Sequence, residues 1–145
     1  MPLVKANGIE IEYDALGDPA NPPMLLIMGL GAQLITWDDG FCEALADRHF
    51  HVIRYDNRDA GLSTKMDDRG PADVAAAYRG EAKPAYSLDD LADDAAGLLD
   101  ALRIDKAHIV GASSVLTTAC TTRPVSDGSW SRSLPRRAGR HGWAI

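Results

Sequence analysis

The sequence predicts an α/β domain built on a mostly parallel sheet. An Asn-Gly turn lies between alternating residues near the N-terminus, short apolar runs of strand length follow, and an amphipathic helical pattern precedes the last of these runs. Strands that alternate with helices are typical of parallel sheets with right-handed crossover connections. The expected order is a β-hairpin, a strand, a helix, a strand, a long loop, a helix and a strand.

Residues 3–15 are predicted to form the β-hairpin. Asn7-Gly8 is the strongest two-residue hairpin signal, and apolar and acidic residues alternate over residues 9–14. Residues 24–28 then form a continuous apolar run bounded by proline and glycine. Such a run favours a strand that is buried on both faces, as in a parallel sheet.

The first predicted helix is about ten residues long and is followed by a strand. Thr36 or Asp38 is expected to cap its N-terminus, and Phe41, Ala44 and Leu45 are expected to form its apolar stripe. The strand covers residues 51–55. The polar loop that follows contains one further short helix, expected near residues 72–79.

The clearest helical pattern begins at Ser87. This serine is expected to cap the helix, with Asp90 as the reciprocal carboxylate of a capping box. Leucine and alanine recur at helical spacing up to about Arg103. A strand over residues 107–111 follows after a short turn.

The composition indicates one globular domain without a membrane span or signal peptide. The chain has 145 residues, and no apolar run approaches the roughly 18 residues that a spanning helix needs. Two cysteines, Cys42 and Cys120, are too few for a disulfide framework, and neither has metal-ligand spacing with a histidine. We therefore expect a cytoplasmic protein with reduced thiols, no membrane partner and no bound metal.

The charge is distributed unevenly along the chain. Residues 1–113 carry ten Lys/Arg and twenty Asp/Glu, a net charge of −10, whereas residues 114–145 carry five Arg and one Asp, a net charge of +4. An acidic body argues against nucleic acid as a partner. Arginines scattered among Ser, Pro and Gly are typical of a disordered C-terminal tail. The boundary at residue 113 divides the expected folded core from that tail.

Ser113 follows the last strand directly, in the order strand-Gly111-Ala112-Ser113. A serine at this place is the first half of a nucleophile elbow, in which a sharp strand-to-helix turn presents the hydroxyl beside backbone N–H groups that bind an oxyanion. The motif has glycine two residues after the serine, and this chain has Val115. A serine that only caps a helix after a strand is the structural alternative.

Four segments in register resemble a known family. They are the Met28-Gly29-Leu30-Gly31 loop with Trp37, the segment from Tyr55 to Ser63, the helix start from Tyr86 to Ala92, and the strand end Gly111-Ala112-Ser113. Together they resemble the bacterial serine esterases of the α/β-hydrolase fold, including the aclacinomycin methylesterase-like group. The resemblance covers residues 1–113 and implies the N-terminal half of an α/β-hydrolase sheet.

The resemblance also implies roles for individual residues. Ser113 would be the nucleophile, and the backbone N–H groups of Leu30 and Ser114 would form the oxyanion hole. Asp56 and Arg58 would brace the loop beside the active site without a catalytic role. Full-length relatives would cleave small-molecule carboxylic esters through an acyl-enzyme, without metal or cofactor. Trp37 is more simply explained as a core or cleft-wall aromatic than as a residue that reads the substrate.

The chain departs from the family pattern after Ser113. The next ten residues are rich in β-branched side chains, a poor composition for the helix expected there, and they stop at Pro124. Asp127 and His141 are the only downstream residues of the types that complete a triad. The span is too short for the strands that would carry them. We therefore expect a chain truncated after the nucleophile and inactive, with the last strand left as an apolar edge that favours aggregation.

The histidines before Ser113 do not supply a base in this scheme. His49, His51 and His108 are interpreted as partly buried structural residues. Two origins of residues 114–145 stay open: a shifted reading frame or a junction with unrelated coding sequence, and a genuine disordered tail on a natural short form. A shifted frame would leave a small-residue elbow and an Ala/Leu helix in another frame of the coding DNA.

Two other classes of protein stay open. Gly29-x-Gly31-x-x-Leu34 after a strand, with Asp56 at the end of the next strand, partly matches a dinucleotide-binding domain. Leucine in place of the third glycine and the leading hairpin count against that class. The second alternative is a non-catalytic remnant or interaction module with the same partial fold.

Overall fold

The elements that the structure describes are six strands, two helices and one 3₁₀ turn. The computed structural model of the chain describes residues 1–29, 31–67, 79–81, 84–112 and 129–131. The strands are β1 (Leu3–Ala6), β2 (Ile9–Leu16), β3 (Pro23–Ile27), β4 (His51–Tyr55), β5 (Lys106–Gly111) and β6 (Ser129–Ser131). The helices are α1 (Asp39–Ala46) and α2 (Leu88–Ala101), and the 3₁₀ turn is Leu34–Thr36.

The sheet has the strand order β1-β2-β4-β3-β5-β6. β3 is parallel to both β4 and β5, whereas β1, β2 and β4 are joined by antiparallel pairing. The expected α/β architecture, an N-terminal hairpin followed by parallel strands with helices between them, is confirmed. The sheet is mixed rather than mostly parallel, because three of its five strand pairings are antiparallel.

The hairpin turn has the geometry that its sequence predicts. Asn7 and Gly8 both have positive φ, 47° and 81°. Two consecutive residues with positive φ are the signature of the type I′ turn, whose twist matches that of the flanking strands. The turn sets the register in which Ala6 faces Ile9 and Leu3 faces Glu12.

The two faces of the sheet are covered by different helices. The α2 face is packed by a larger apolar cluster, whose buried members are Ala6, Ile11, Leu25, Ile27, Ile53, Tyr55, Ala95, Leu98, Leu99 and Ala107. The α1 face has a smaller cluster, with Met24, Leu26, Cys42 and Val52 buried. Because the side chains of β3 and β4 alternate between these clusters, both central strands are buried on both faces.

Both helix starts are capped by side chains. The Asp38 carboxylate accepts a hydrogen bond from the Phe41 N–H at 3.1 Å, so Asp38 is the cap among the two candidates. Ser87 and Asp90 form the expected capping box. The expected apolar stripe of α1 is corrected in part. Leu45 packs against the smaller cluster as expected, but Phe41 and Ala44 are exposed, Phe41 stacks on Trp37, and Cys42 is the buried residue of this helix.

The expected bare edge of β5 is also corrected. Ser129–Ser131 forms β6, which pairs antiparallel with residues 106–108 of β5. An unpaired edge presents a row of N–H and C=O groups, and even a three-residue strand satisfies part of that row. The other residues of the expected tail lie outside the described residues, as does the short helix expected near residues 72–79, except for the exposed Arg79.

Candidate active site

The ends of β3 and β5 lie side by side at one edge of the sheet. Ile27 is in register with Gly111, and the Ala112 N–H donates a hydrogen bond of 3.0 Å to the Ile27 carbonyl. The ladder between these strands therefore continues to the residue before Ser113. The loop that begins at Gly29 and the turn expected at Ser113 follow neighbouring strands. Leu30, Ser113 and Ser114 themselves lie outside the described residues.

The loop after β3 turns tightly and is held at both ends by the two residues that follow β4. The Ala32 N–H donates a hydrogen bond of 3.1 Å to the Gly29 carbonyl, which closes the turn. Before the turn, Asn57 Nδ2 donates to the Met28 carbonyl at 2.9 Å. After it, the Leu34 N–H donates to Asp56 Oδ1 at 2.7 Å. Two consecutive residues at the end of β4 thus fix both flanks of this loop, which we call the 29–33 loop.

Asp56 also organises the loop after β4. Its Oδ2 accepts a hydrogen bond from the Leu62 N–H at 3.0 Å, and its carbonyl accepts one from the Ser63 hydroxyl at 2.7 Å. Gly61 lies against this carboxylate with φ +46°, and a Cβ built there would lie 1.6 Å from Asp56 Oδ2. Only glycine fits at position 61. The carboxylate of Asp56 is therefore used to bind two backbone N–H groups.

Glu12 is the residue near this site that the sequence did not single out. The alternation of apolar and acidic residues in β2 predicts that Glu12 faces solvent, yet Glu12 is only 5% exposed. It lies beside Asp56, and its pKa is raised by burial and by the Asp56 carboxyl. The strand period alone cannot reveal this, because the loop after β4, distant in sequence, covers the polar face of β2.

A second polar network lies on the α2 face. Arg58 donates two hydrogen bonds to Asp94, from Nε to Oδ2 at 2.6 Å and from Nη2 to Oδ1 at 2.7 Å. Asn7 Nδ2 donates to the same carboxylate at 2.8 Å, and the Tyr86 ring lies 5.8 Å from the Arg58 guanidinium carbon. Asp94 raises the pKa of Arg58 through this pairing. Arg58 therefore joins the loop after β4 to α2 and to the hairpin.

Arg54 performs a similar task on the α1 face. Its side chain is buried and donates to Asp14 Oδ2 at 2.8 Å and to the Trp37 carbonyl at 2.7 Å, and it pairs with Asp39 at 2.7 Å. It connects β2, the 3₁₀ turn and the start of α1. Trp37 packs against the smaller apolar cluster, as a core aromatic would.

The histidines that the structure describes do not converge on the carboxyl edge of the sheet. His49 is exposed, with a left-handed φ of 63°, so its expected partial burial is wrong. His51 opens β4 at the opposite edge, and His108 lies within β5 against the Phe50 ring. Asp127 and His141 lie outside the described residues. Within the described ranges, no three His, Cys, Asp or Glu side chains are grouped as metal ligands.

The fold and the arrangement of the strand ends are those of one enzyme family. Residues 22–114 match the alpha/beta hydrolase fold family, and the chain belongs to it. In the part of the chain that the structure describes, no helix is long and apolar enough to cross a membrane.

Its relatives include hydrolases of several kinds. Rhodomycin D methylesterase DauP of Streptomyces sp. (strain C5) is 36% identical over 111 residues, which are 77% of this chain and 33% of that protein. Rhodomycin D methylesterase DnrP of Streptomyces peucetius is 39% identical over the same length. The enol-lactonase from Burkholderia xenovorans LB400 superposes with a TM-score of 0.65 and 31% identity, over 84% of this chain and 42% of the lactonase. The chain spans about a third of the length of these methylesterases.

Proposed function

We propose that this chain carries the nucleophile-bearing part of a serine hydrolase that acts on small-molecule carboxylic esters. The observation that supports it is the pairing of β3 and β5 up to Ala112, because it brings the start of the 29–33 loop close to the residue that precedes Ser113. In this proposal Ser113 is the nucleophile, and the N–H groups of Leu30 and Ser114 bind the oxyanion. The esterase and lactonase relatives support an acyl-transfer reaction.

The chemistry assigns a task to each group. The Ser113 hydroxyl attacks the ester carbonyl carbon while its proton passes to a base, and the carbonyl oxygen becomes an oxyanion between two N–H groups. Collapse of this intermediate expels the alcohol, which takes up the proton, and leaves an acyl-serine that water hydrolyses. Donors fixed in advance stabilise the oxyanion more than mobile ones do, so the hydrogen bonds of Asp56 and Asn57 to the flanks of the loop serve this step.

We further propose that the 145-residue chain does not turn over esters on its own. Attack requires a base beside Ser113, and Asp127 and His141 are the only downstream residues of the usual triad types. β6 lies antiparallel to β5, with Ser131 opposite Lys106 at the start of that strand. The chain thus leaves β6 beside the start of β5, at the end of that strand remote from Ala112.

The two alternatives differ in what they require of the site. A dinucleotide-binding domain would need the Asp56 carboxylate for a ribose hydroxyl. That carboxylate is buried and already accepts two backbone N–H groups, which counts against this class. A non-catalytic protein with the same partial fold requires no triad, and it shares every structural feature with an inactive hydrolase fragment.

A chimaera with a relative tests the proposed role of Ser113 separately from the activity of the isolated chain. The chimaera joins residues 1–114 of this chain to the matching remainder of rhodomycin D methylesterase DnrP. It should hydrolyse the methyl ester on which DnrP acts. Ser113→Ala in the chimaera should lower kcat by at least about a thousandfold, whereas Ser87→Ala, which changes only the cap of α2, should not. A chimaera that folds but is insensitive to Ser113→Ala would contradict the proposed nucleophile.

The isolated chain is tested on short p-nitrophenyl esters. We expect the same background rate for the wild-type chain and for Ser113→Ala. A wild-type rate that Ser113→Ala abolishes would overturn the proposed inactivity while supporting the nucleophile. Titration with labelled NAD addresses the dinucleotide class, which a saturable signal would revive.

A further inference from the structure

Two buried carboxyl groups face each other at the end of the β2–β4 ladder. Tyr13 is in register with Tyr55, so the next antiparallel pair is Glu12 and Asp56, and the Asp56 N–H donates to the Glu12 carbonyl at 3.0 Å. Glu12 is 5% exposed and Asp56 is 2% exposed. Residues directly opposite on one face have Cβ atoms about 5 Å apart, and two like charges at that distance destabilise the pair.

Among the described residues, two backbone N–H groups donate to this pair, and no Lys or Arg side chain forms an ion pair with it. The Leu34 and Leu62 N–H groups donate to the two oxygens of Asp56. The Leu62 N–H also acts on Glu12, and it lowers the pKa of Glu12 less than burial and the Asp56 carboxyl raise it. Arg54, the next residue along the same face of β4, is engaged by Asp14, Asp39 and the Trp37 carbonyl.

The remaining charges near the pair are weak partners. The α-amino group of Met1 acts on Glu12 from the start of β1, but burial and the Asp56 carboxyl outweigh it. Lys65 lies on the loop after β4, and its ammonium group donates a hydrogen bond of 2.6 Å to the Gly61 carbonyl. The 3₁₀ turn that packs against Asp56 contains no ionisable residue.

A shared proton is the arrangement that satisfies both carboxyl groups. Both oxygens of Asp56 already accept backbone N–H groups, so Glu12 is the carboxyl group of the pair that is placed to donate. We infer that Glu12 is a positioning residue: neutral, it donates its carboxyl hydrogen to Asp56 and fixes the carboxylate that holds Leu34 and Leu62. Through Leu34 it positions the 29–33 loop, and the catalytic meaning of that loop rests on the proposed function.

The pKa of Glu12 makes the stability of this arrangement depend on pH. Burial raises the pKa above the ordinary value of 4.5, and the Asp56 carboxyl raises it further. A group whose pKa is raised in the folded state contributes stability that is lost as pH rises through the folded pKa. Above that pH both carboxyls are charged, they repel each other, and Asp56 holds the two N–H groups less firmly.

The experiment is amide hydrogen exchange of the full 145-residue chain, followed by NMR from pH 5 to pH 8. Protection factors, which correct for the intrinsic pH dependence of exchange, are compared at Leu34 and Leu62. In the wild-type chain we expect both factors to fall by roughly fivefold as pH rises through the pKa of Glu12. Amides in the centre of β3 should not change.

Three variants decide the cause. Glu12→Gln keeps a donor and carries no charge, so it should keep high protection at both amides and remove the pH dependence. Glu12→Ala should lower protection at every pH. Glu10→Gln, on the same strand and exposed, should retain the wild-type profile. An unchanged pH profile in Glu12→Gln, or a profile that Glu10→Gln abolishes, would overturn the inference.

A direct titration covers the case in which a variant does not fold. The Glu12 side-chain carboxyl carbon of the wild-type chain is followed by ¹³C NMR. A midpoint at or below the ordinary value overturns the inference, and a raised midpoint supports it. None of these measurements depends on ester hydrolysis, so they fail or succeed independently of the role proposed for Ser113.

Discussion

Arg58 and Asp94 form a two-point ion pair beneath the loop that follows β4. Their side chains are 9% and 1% exposed, and the two hydrogen bonds between them are 2.6 and 2.7 Å long. They lie 36 positions apart in sequence, on different elements. A buried ion pair adds little relative to apolar residues of the same shape, but the loss of one partner leaves a buried charge without compensation.

Asp94→Asn should therefore destabilise the chain strongly. We expect a loss of about 3–5 kcal/mol in the free energy of unfolding, measured by urea titration with circular dichroism. Asp93→Asn, the exposed neighbour on the same helix, is the matched control and should change stability by less than about 0.5 kcal/mol.

The double variant Arg58→Met/Asp94→Leu separates the pair from its packing. Because no charge then remains buried, it should be more stable than Asp94→Asn. A double variant less stable than the single one would show that the ion pair itself, rather than the cost of an unpaired Arg58, determines stability there.

Gly61→Ala should disrupt the loop after β4. A Cβ at this position would lie 1.6 Å from Asp56 Oδ2 and would also occupy a left-handed conformation. Gly8→Ala is the matched control, since Gly8 has positive φ but no atom within 4 Å of the added Cβ. We expect Gly8→Ala to cost about 1–2 kcal/mol from its conformation alone and Gly61→Ala to cost clearly more in urea titrations. Equal losses would contradict the close approach to Asp56.

The strands, the caps and the order of elements could be predicted because each rests on local chemistry. Asn7-Gly8 defines its own turn, and Ser87 and Asp90 define their own capping box. The partners of the charged residues could not be predicted in the same way. Glu12 looks like a solvent-facing residue within β2, and only the return of the loop after β4 buries it.

The candidate site likewise has features that the sequence predicts and contacts that it does not. Strand ends and glycines predict that the 29–33 loop and Ser113 lie close together, since parallel strands end at one edge of the sheet. The hydrogen bonds from Asp56 and Asn57 that hold this loop join elements distant in sequence. The pairing of β6 with β5 is equally non-local, which is why a bare edge was expected.

Tyr55→Phe should be neutral or stabilising near pH 7. The Tyr55 hydroxyl is buried and has no hydrogen-bond partner among the described residues. Removal of an unsatisfied buried polar group costs nothing and gains up to about 1 kcal/mol. Tyr13→Phe, which changes the half-buried residue opposite Tyr55 in the register, is the control. A clear loss of stability in Tyr55→Phe would indicate that the hydroxyl has a partner in the folded protein.

Tyr55→Phe should also change how the free energy of unfolding depends on pH in the alkaline range. Burial raises the pKa of Tyr55 above its ordinary value of 10.0. The unfolded chain therefore loses this proton first, and stability falls as pH rises above about 10 toward the folded pKa. The free energy of unfolding of Tyr55→Phe, measured by urea titration at pH 9 to 11, should fall less steeply than that of the wild-type chain. Identical slopes would contradict the raised pKa.

Cys42 should resist alkylation in the folded chain. Its side chain is fully buried in α1, and burial raises the pKa of the thiol, so little thiolate is present near pH 8. Alkylation must then wait for local opening of the contact between α1 and the sheet. In a Cys120→Ser background, the iodoacetamide reaction at Cys42, followed by mass spectrometry, should be at least about 100-fold slower than in 8 M urea. A rate within a few-fold of the unfolded rate would mean that α1 does not pack stably over Val52 and Leu26, and that this face of the sheet is open in solution.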